Sequence, residues 1–86
     1  MNLNMRKSAV EKLTMFRTTD LALATVISLW FPLESVDKQN PRKAEFVFLT
    51  DPKLDALVKR YWQRELKVEA QAFFSALKFI KSRLYE

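Results

Sequence analysis

The 86-residue chain contains no cysteine, no histidine and no glycine. Without cysteine there can be no disulfide, no thiolate nucleophile and no cysteine metal site. Without histidine, Ser-His-Asp and Cys-His catalytic arrangements and every imidazole-based metal site are excluded within the chain. Without glycine, whose usual frequency is about 7%, no glycine-rich phosphate loop can form. Any backbone position with φ > 0 must then fall to asparagine, aspartate or another residue that accepts strain. Long apolar runs are missing too. The longest apolar-rich stretch, Leu21 to Leu33, is interrupted by Thr25 and Ser28 and falls short of the roughly 18 residues of a membrane span. Arg6 and Lys7 have no apolar region directly after them, so no signal peptide is expected. The expectation is a cytoplasmic protein without membrane contact, metal or cofactor.

What is present is a core. Hydrophobic residues make up 49% of the chain and aromatics 13%, so the chain is not of disordered composition. A single domain of this size buries roughly 60–65% of the surface its unfolded chain exposes. Residues 13–86 are read as one α+β domain and residues 1–12 as a basic arm. Fifteen Lys and Arg face ten Asp and Glu, a net charge of +5. The segment up to Arg17 supplies +3 of this, with Arg6, Lys7, Lys12 and Arg17 against Glu11 alone; from Thr18 onward the balance is only +2.

Taken in order, Ser8-Ala9-Val10-Glu11 matches a capping box, and a short helix is expected there. The rival reading makes Leu13 to Arg17 extended, since Thr14 and Phe16 suit a strand as well as a helix. Thr18-Thr19-Asp20 starts a better helix, with a threonine as cap and Asp20 in the first turn. Leu23, Val26, Ile27 and Trp30 form its apolar stripe, and Pro32 stops it after Phe31. Leu33 to Asp37 reads as a strand. Lys38 to Lys43 reads as a polar turn around Asn40-Pro41, and Ala44 to Leu49 as the antiparallel partner strand. Phe46 and Phe48 share one face of that strand, Val47 and Leu49 the other. Both faces are apolar, so cover on both sides or an interface is expected. An isolated hairpin is marginal, so helices must lie on it.

Thr50-Asp51-Pro52 ends the strand and starts a helix in three residues, with Asp51 as cap and Pro52 at N1, where its missing N–H is harmless. Leu54, Leu57, Val58, Tyr61 and Trp62 read as its inward face, and the stripe fails near Arg64. Leu66 and Val68 should tuck in along the connector. The last helix is expected from Glu69 to Leu84, with Phe73, Leu77, Ile80 and Leu84 inward and Phe74 and Phe79 on opposite shoulders. The expected fold is therefore α+β: a helix, an antiparallel β-hairpin, then two C-terminal helices packed on it, preceded by the arm.

Four pieces in order carry a resemblance. They are Thr-Thr-Asp-Leu-Ala-Leu-Ala at 18–24, Phe-Val-Phe at 46–48, Tyr-Trp at 61–62, and Ala-Leu-Lys with Lys-Ser-Arg-Leu-Tyr at 76–78 and 81–85. The pattern resembles a family of small bacterial and phage-associated domains of unknown function, over residues 15 to 86. The resemblance implies an α+β fold with this element order and brings no functional residues. Where that family often opens its last helix on an acid-proline pair, this chain has Glu69-Ala70, so a weaker cap is expected.

Of the acidic groups, Asp51 and Asp55 lie one helical turn apart, but a cap and a first-turn acid explain them better than a shared cation. Glu34, Asp37 and Glu45 stand near Lys38, Arg42 and Lys43, so surface ion pairs are the better reading. No catalytic residue is assigned. The aromatics could stack on bases, but helix-lining aromatics are normally core; Trp62 and Tyr85 are the expected exposed pair. The basic residues are the functional lead: the arm with Arg6, Lys7, Lys12 and Arg17, the hairpin tip with Lys38, Arg42 and Lys43, and helical groups including Lys59, Arg60, Arg64, Lys78, Lys81 and Arg83. Arg6, Lys7, Lys12, Arg17, Lys38, Arg42, Lys43, Lys78 and Lys81 form the candidate set for phosphate contacts with DNA or RNA. The expected function is that of a small non-enzymatic accessory protein. The alternative is a protein-interaction module, a homodimer or a subunit of a larger complex, motivated by the two-sided strand and by Phe74 and Phe79.

Overall fold

A computed structural model of the protein describes residues 15–86. The capping box at Ser8, and with it Arg6, Lys7 and Lys12, lies outside the described residues. Three strands form one antiparallel sheet: β1 (Met15–Thr18), β2 (Ser35–Asp37) and β3 (Glu45–Leu49), in the order β1-β3-β2. Three helices accompany them: α1 (Leu21–Ser28), α2 (Pro52–Trp62) and α3 (Ala70–Leu84). The fold is α+β as expected, with one addition. The stretch before α1 is a strand that pairs with β3, placing Phe16 opposite Phe48 and Thr18 opposite Phe46. The hairpin is thereby extended to a three-stranded sheet, the smallest size at which a sheet with one apolar face is stable.

The register assigns the faces. Phe16, Val36, Phe46 and Phe48 point to the side where the helices lie, and Phe46 and Phe48 are sealed from solvent. Leu23, Ala24 and Ile27 from α1, Leu54 and Leu57 from α2, and Ile80 from α3 complete that core. Each large apolar side chain so buried contributes about 1.5–3 kcal/mol. Thr25 is fully buried within α1, and its hydroxyl donates to the Leu21 carbonyl at 2.8 Å, so no polar group is stranded there. On the opposite face Val47 is also buried, flanked in register by Arg17 and Ser35, while Met15 and Leu49 pair and stay exposed. Arg17 reaches from one edge strand over β3 to the other and donates to Asp37 at 3.0 Å. The two-sided apolar character of β3 is thus real at Val47 and ends at Leu49.

The helix ends follow local chemistry, with several corrections. The cap of α1 is Asp20 itself, not a threonine: its carboxylate accepts from the Leu23 N–H at 3.0 Å, and Thr18 Oγ1 accepts from the Asp20 N–H. The helix stops at Ser28, three residues earlier than Pro32 suggests, and finishes in a tight turn whose last N–H groups bond to Val26 and Ile27. Trp30 leaves the stripe for that reason and is 53% exposed. Asp51 caps α2 by accepting from the Leu54 N–H at 2.9 Å, with Pro52 behind it. Trp62, at the edge of the α2 stripe, is 61% exposed, the outcome expected for it and Tyr85 and not that of an inward residue; Val68, expected to tuck in, is exposed as well. Strand β2 begins at Ser35 rather than Leu33, although the Glu34 N–H already bonds to Val47.

The absence of glycine shows at the end of α2. Arg64 takes φ 61°, the left-handed conformation that glycine usually supplies after a helix. The Arg64 N–H bonds to Tyr61 and the Glu65 N–H to Arg60, the two reversed hydrogen bonds of a Schellman ending. The strain at Arg64 is of order 1–2 kcal/mol. The cap of α3 is stronger than Glu69-Ala70 suggests. Both Glu69 oxygens accept, from the Gln71 and Ala72 N–H groups at 3.0 and 2.7 Å, and these bonds hold the carboxyl below its ordinary 4.5. Tyr61, partly buried, has its hydroxyl pushed above its ordinary 10.0, first by burial and then by the charge of Asp20.

Candidate functional site

The loop between β2 and β3 is shaped by its own side chains. Asp37 Oδ1 accepts from the Gln39 N–H at 3.0 Å, and Asn40 Oδ1 accepts from the Arg42 N–H at 3.0 Å. The Lys43 N–H closes a turn on the Asn40 carbonyl at 3.1 Å. Asparagine at the first position and proline at the second suit such a turn, because proline presets the required φ. Lys38 Nζ donates to the Glu86 carbonyl at 2.8 Å, tying the loop to the end of α3. Asp37 also accepts from Arg17 on its other oxygen. The backbone bond from Gln39 and then the Arg17 guanidinium hold its carboxyl below the ordinary 3.8.

The loop, the start of α1 and the end of α3 enclose an open groove of about 710 Å³. Lys38, Arg42 and Lys43 line one side of it; Leu21, Phe46 and Leu84 provide an apolar floor; Tyr85, 78% exposed, stands at the rim. Among the described residues no acidic side chain lines this groove. Concave volumes of this order hold small ligands or a few residues of a polymer.

The nine candidate phosphate contacts therefore separate. Lys38, Arg42 and Lys43 converge on the groove. Arg17 faces the other side of the sheet and is engaged by Asp37. Lys78 and Lys81 lie exposed on α3 and do not line the groove. Arg6, Lys7 and Lys12 lie outside the described residues. Leu21 and Leu84 were missed as site residues because apolar side chains in helices read as core. Tyr85 was legible as exposed, but its place opposite the hairpin tip was not.

A second groove, of about 430 Å³, runs along α2, with Trp30, Phe31 and Leu66 on its walls and Lys53, Ala56, Leu57 and Arg60 along the helix. Among the described residues no group of three or more acidic side chains is placed to hold a metal ion, and no helix is long and apolar enough to cross a membrane.

Residues 14–86 match a family described only as a domain of unknown function, DUF5659. The chain belongs to that family. The match covers every described residue, so both grooves are features of the DUF5659 domain of this chain. No curated protein and no solved structure matches it.

Proposed function

We propose that this DUF5659 protein is a small non-enzymatic accessory protein that binds nucleic acid in the hairpin groove, acting in the cytoplasm where such partners are found. The observation that carries this reading is the shared groove: three cations, an apolar floor and an exposed tyrosine, with no acid among the lining residues. Cations on a polar loop suit a phosphate backbone. The apolar floor and Tyr85 suit an unpaired base, which a duplex would keep stacked away. A single strand is therefore the preferred form. The test is fluorescence anisotropy with labelled single- and double-stranded oligonucleotides of DNA and RNA. Binding of single strands that weakens steeply with salt supports the reading; no binding of any of them at about 50 mM salt sinks it.

A second reading, a protein-interaction module, is favoured by a different observation: Trp30, Trp62 and Phe74 are each more than half exposed. Large apolar side chains in the open are common anchors for partners. Light scattering across a concentration series tests the homodimer form of this reading, which a strict monomer rules out.

A further inference from the structure

The groove along α2 has a repeat that its walls alone do not explain. Lys53, Ala56, Leu57 and Arg60 stand at positions i, i+3, i+4 and i+7, one continuous face of the helix. The two cations at its ends are roughly 10 Å apart at 1.5 Å per residue. Neither is in an ion pair among the described residues. Lys53 also sits in the first turn of α2, where the positive end of the helix dipole disfavours a cation. Its charge gives nothing to the helix dipole, which the Asp51 cap and Asp55 in the same turn serve instead. Between the cations, Leu57 forms the floor at 9% exposure, and the exposed Trp30 and the Leu66 side chain rise on either side.

We propose that this groove docks an acidic amphipathic helix of a partner protein, with two carboxylates two turns apart meeting Lys53 and Arg60 and apolar side chains between them packing on Leu57 and Trp30. Charge complementarity selects this occupant. Among the described residues a second copy of the chain has no such helix: α1 and α3 contain no acid within their spans, and α2 contains Asp55 alone. The segment before β1 has the wrong sign, with Arg6, Lys7 and Lys12 against Glu11. Helix-in-groove docking reads anchors at this same i, i+3, i+4, i+7 spacing. The inference rests on the protein-interaction reading and is independent of the nucleic-acid groove.

The probe is a short helical peptide with two glutamates two turns apart and leucines between them, alongside a copy in which lysines replace the glutamates. Trp62→Phe leaves Trp30 as the single tryptophan, since the chain has two, and its emission reports on the groove. The glutamate peptide should shift Trp30 emission to the blue, and K53E/R60E should weaken that binding by about 10-fold or more while admitting the lysine peptide. Oligonucleotide affinity should be unchanged in K53E/R60E. The inference is overturned if neither peptide binds, or if both bind the unaltered groove equally. It is also overturned if an oligonucleotide produces the Trp30 shift, or if light scattering finds a dimer that K53E/R60E dissolves.

Discussion

The two grooves of this domain present cations in opposite ways. In the hairpin groove, Lys38, Arg42 and Lys43 sit on a loop whose shape comes from the Asp37 and Asn40 side chains. In the α2 groove, Lys53 and Arg60 sit on a helix and inherit its fixed rise. Cations on a loop can follow an irregular, extended chain such as a nucleic-acid backbone. Cations at a set helical spacing suit a partner with the same repeat. The aromatic neighbours differ in the same sense: Tyr85 stands free at a rim, whereas Trp30 walls an aliphatic floor. Net positive charge alone would have assigned both grooves to one class of partner.

The largest expected effect removes the difference altogether. Phe48 is fully buried in the core that residues of α1, α2 and α3 share, so Phe48→Ala should cost about 3–5 kcal/mol in a urea titration and weaken binding at both grooves together. Charge reversal should separate them. K38E/R42E/K43E should abolish oligonucleotide binding and leave peptide binding intact, as read by anisotropy and Trp30 emission. The cap of α2 should affect one groove more than the other. Asp51→Ala should lower stability by about 1 kcal/mol and loosen the α2 groove before the hairpin groove, as read by amide exchange along Pro52–Trp62. The smallest effects lie outside both. Because the folded carboxyl of Glu69 is held below its ordinary 4.5, its stabilisation is complete above that value and is lost as pH falls through the depressed one. Thermal unfolding of Glu69→Gln should therefore depend less on pH than the unaltered chain in the window below about 4.5.

How much of this was legible in the sequence depends on how local each signal is. The Asp51-Pro52 start of α2 was readable because cap and helix are adjacent. The strength of the Glu69 cap is less legible, because it comes from a carboxylate that accepts twice and not from an acid-proline pair. The four residues of β1 fit a helix or a strand equally well; only their pairing with β3, some thirty residues away in the chain, decides the matter. Trp30 and Trp62 continue the helical stripes on paper, but α1 ends at Ser28, before Trp30, and Trp62 is the last residue of α2; both are exposed. Lys38, Arg42 and Lys43 stand together on one polar turn in the sequence, and all three line the hairpin groove. Their convergence with Leu21, Leu84 and Tyr85 was out of reach, because residues from three distant segments meet there only after folding. Arg64 illustrates the reverse case: in a glycine-free chain any position at positive φ must fall to another residue, and nothing in the sequence marks Arg64 as that residue.

The most direct test of the central claim is the salt dependence of single-stranded oligonucleotide binding. Three phosphate contacts from Lys38, Arg42 and Lys43 give a slope of about −2 in a plot of log affinity against log salt. Affinity should then fall about 15-fold between ~50 and ~200 mM salt, and K38A/R42A/K43A should bring the slope close to zero. A slope that the triple variant leaves unchanged would contradict the account, because the cations carrying it would then lie elsewhere than in the hairpin groove.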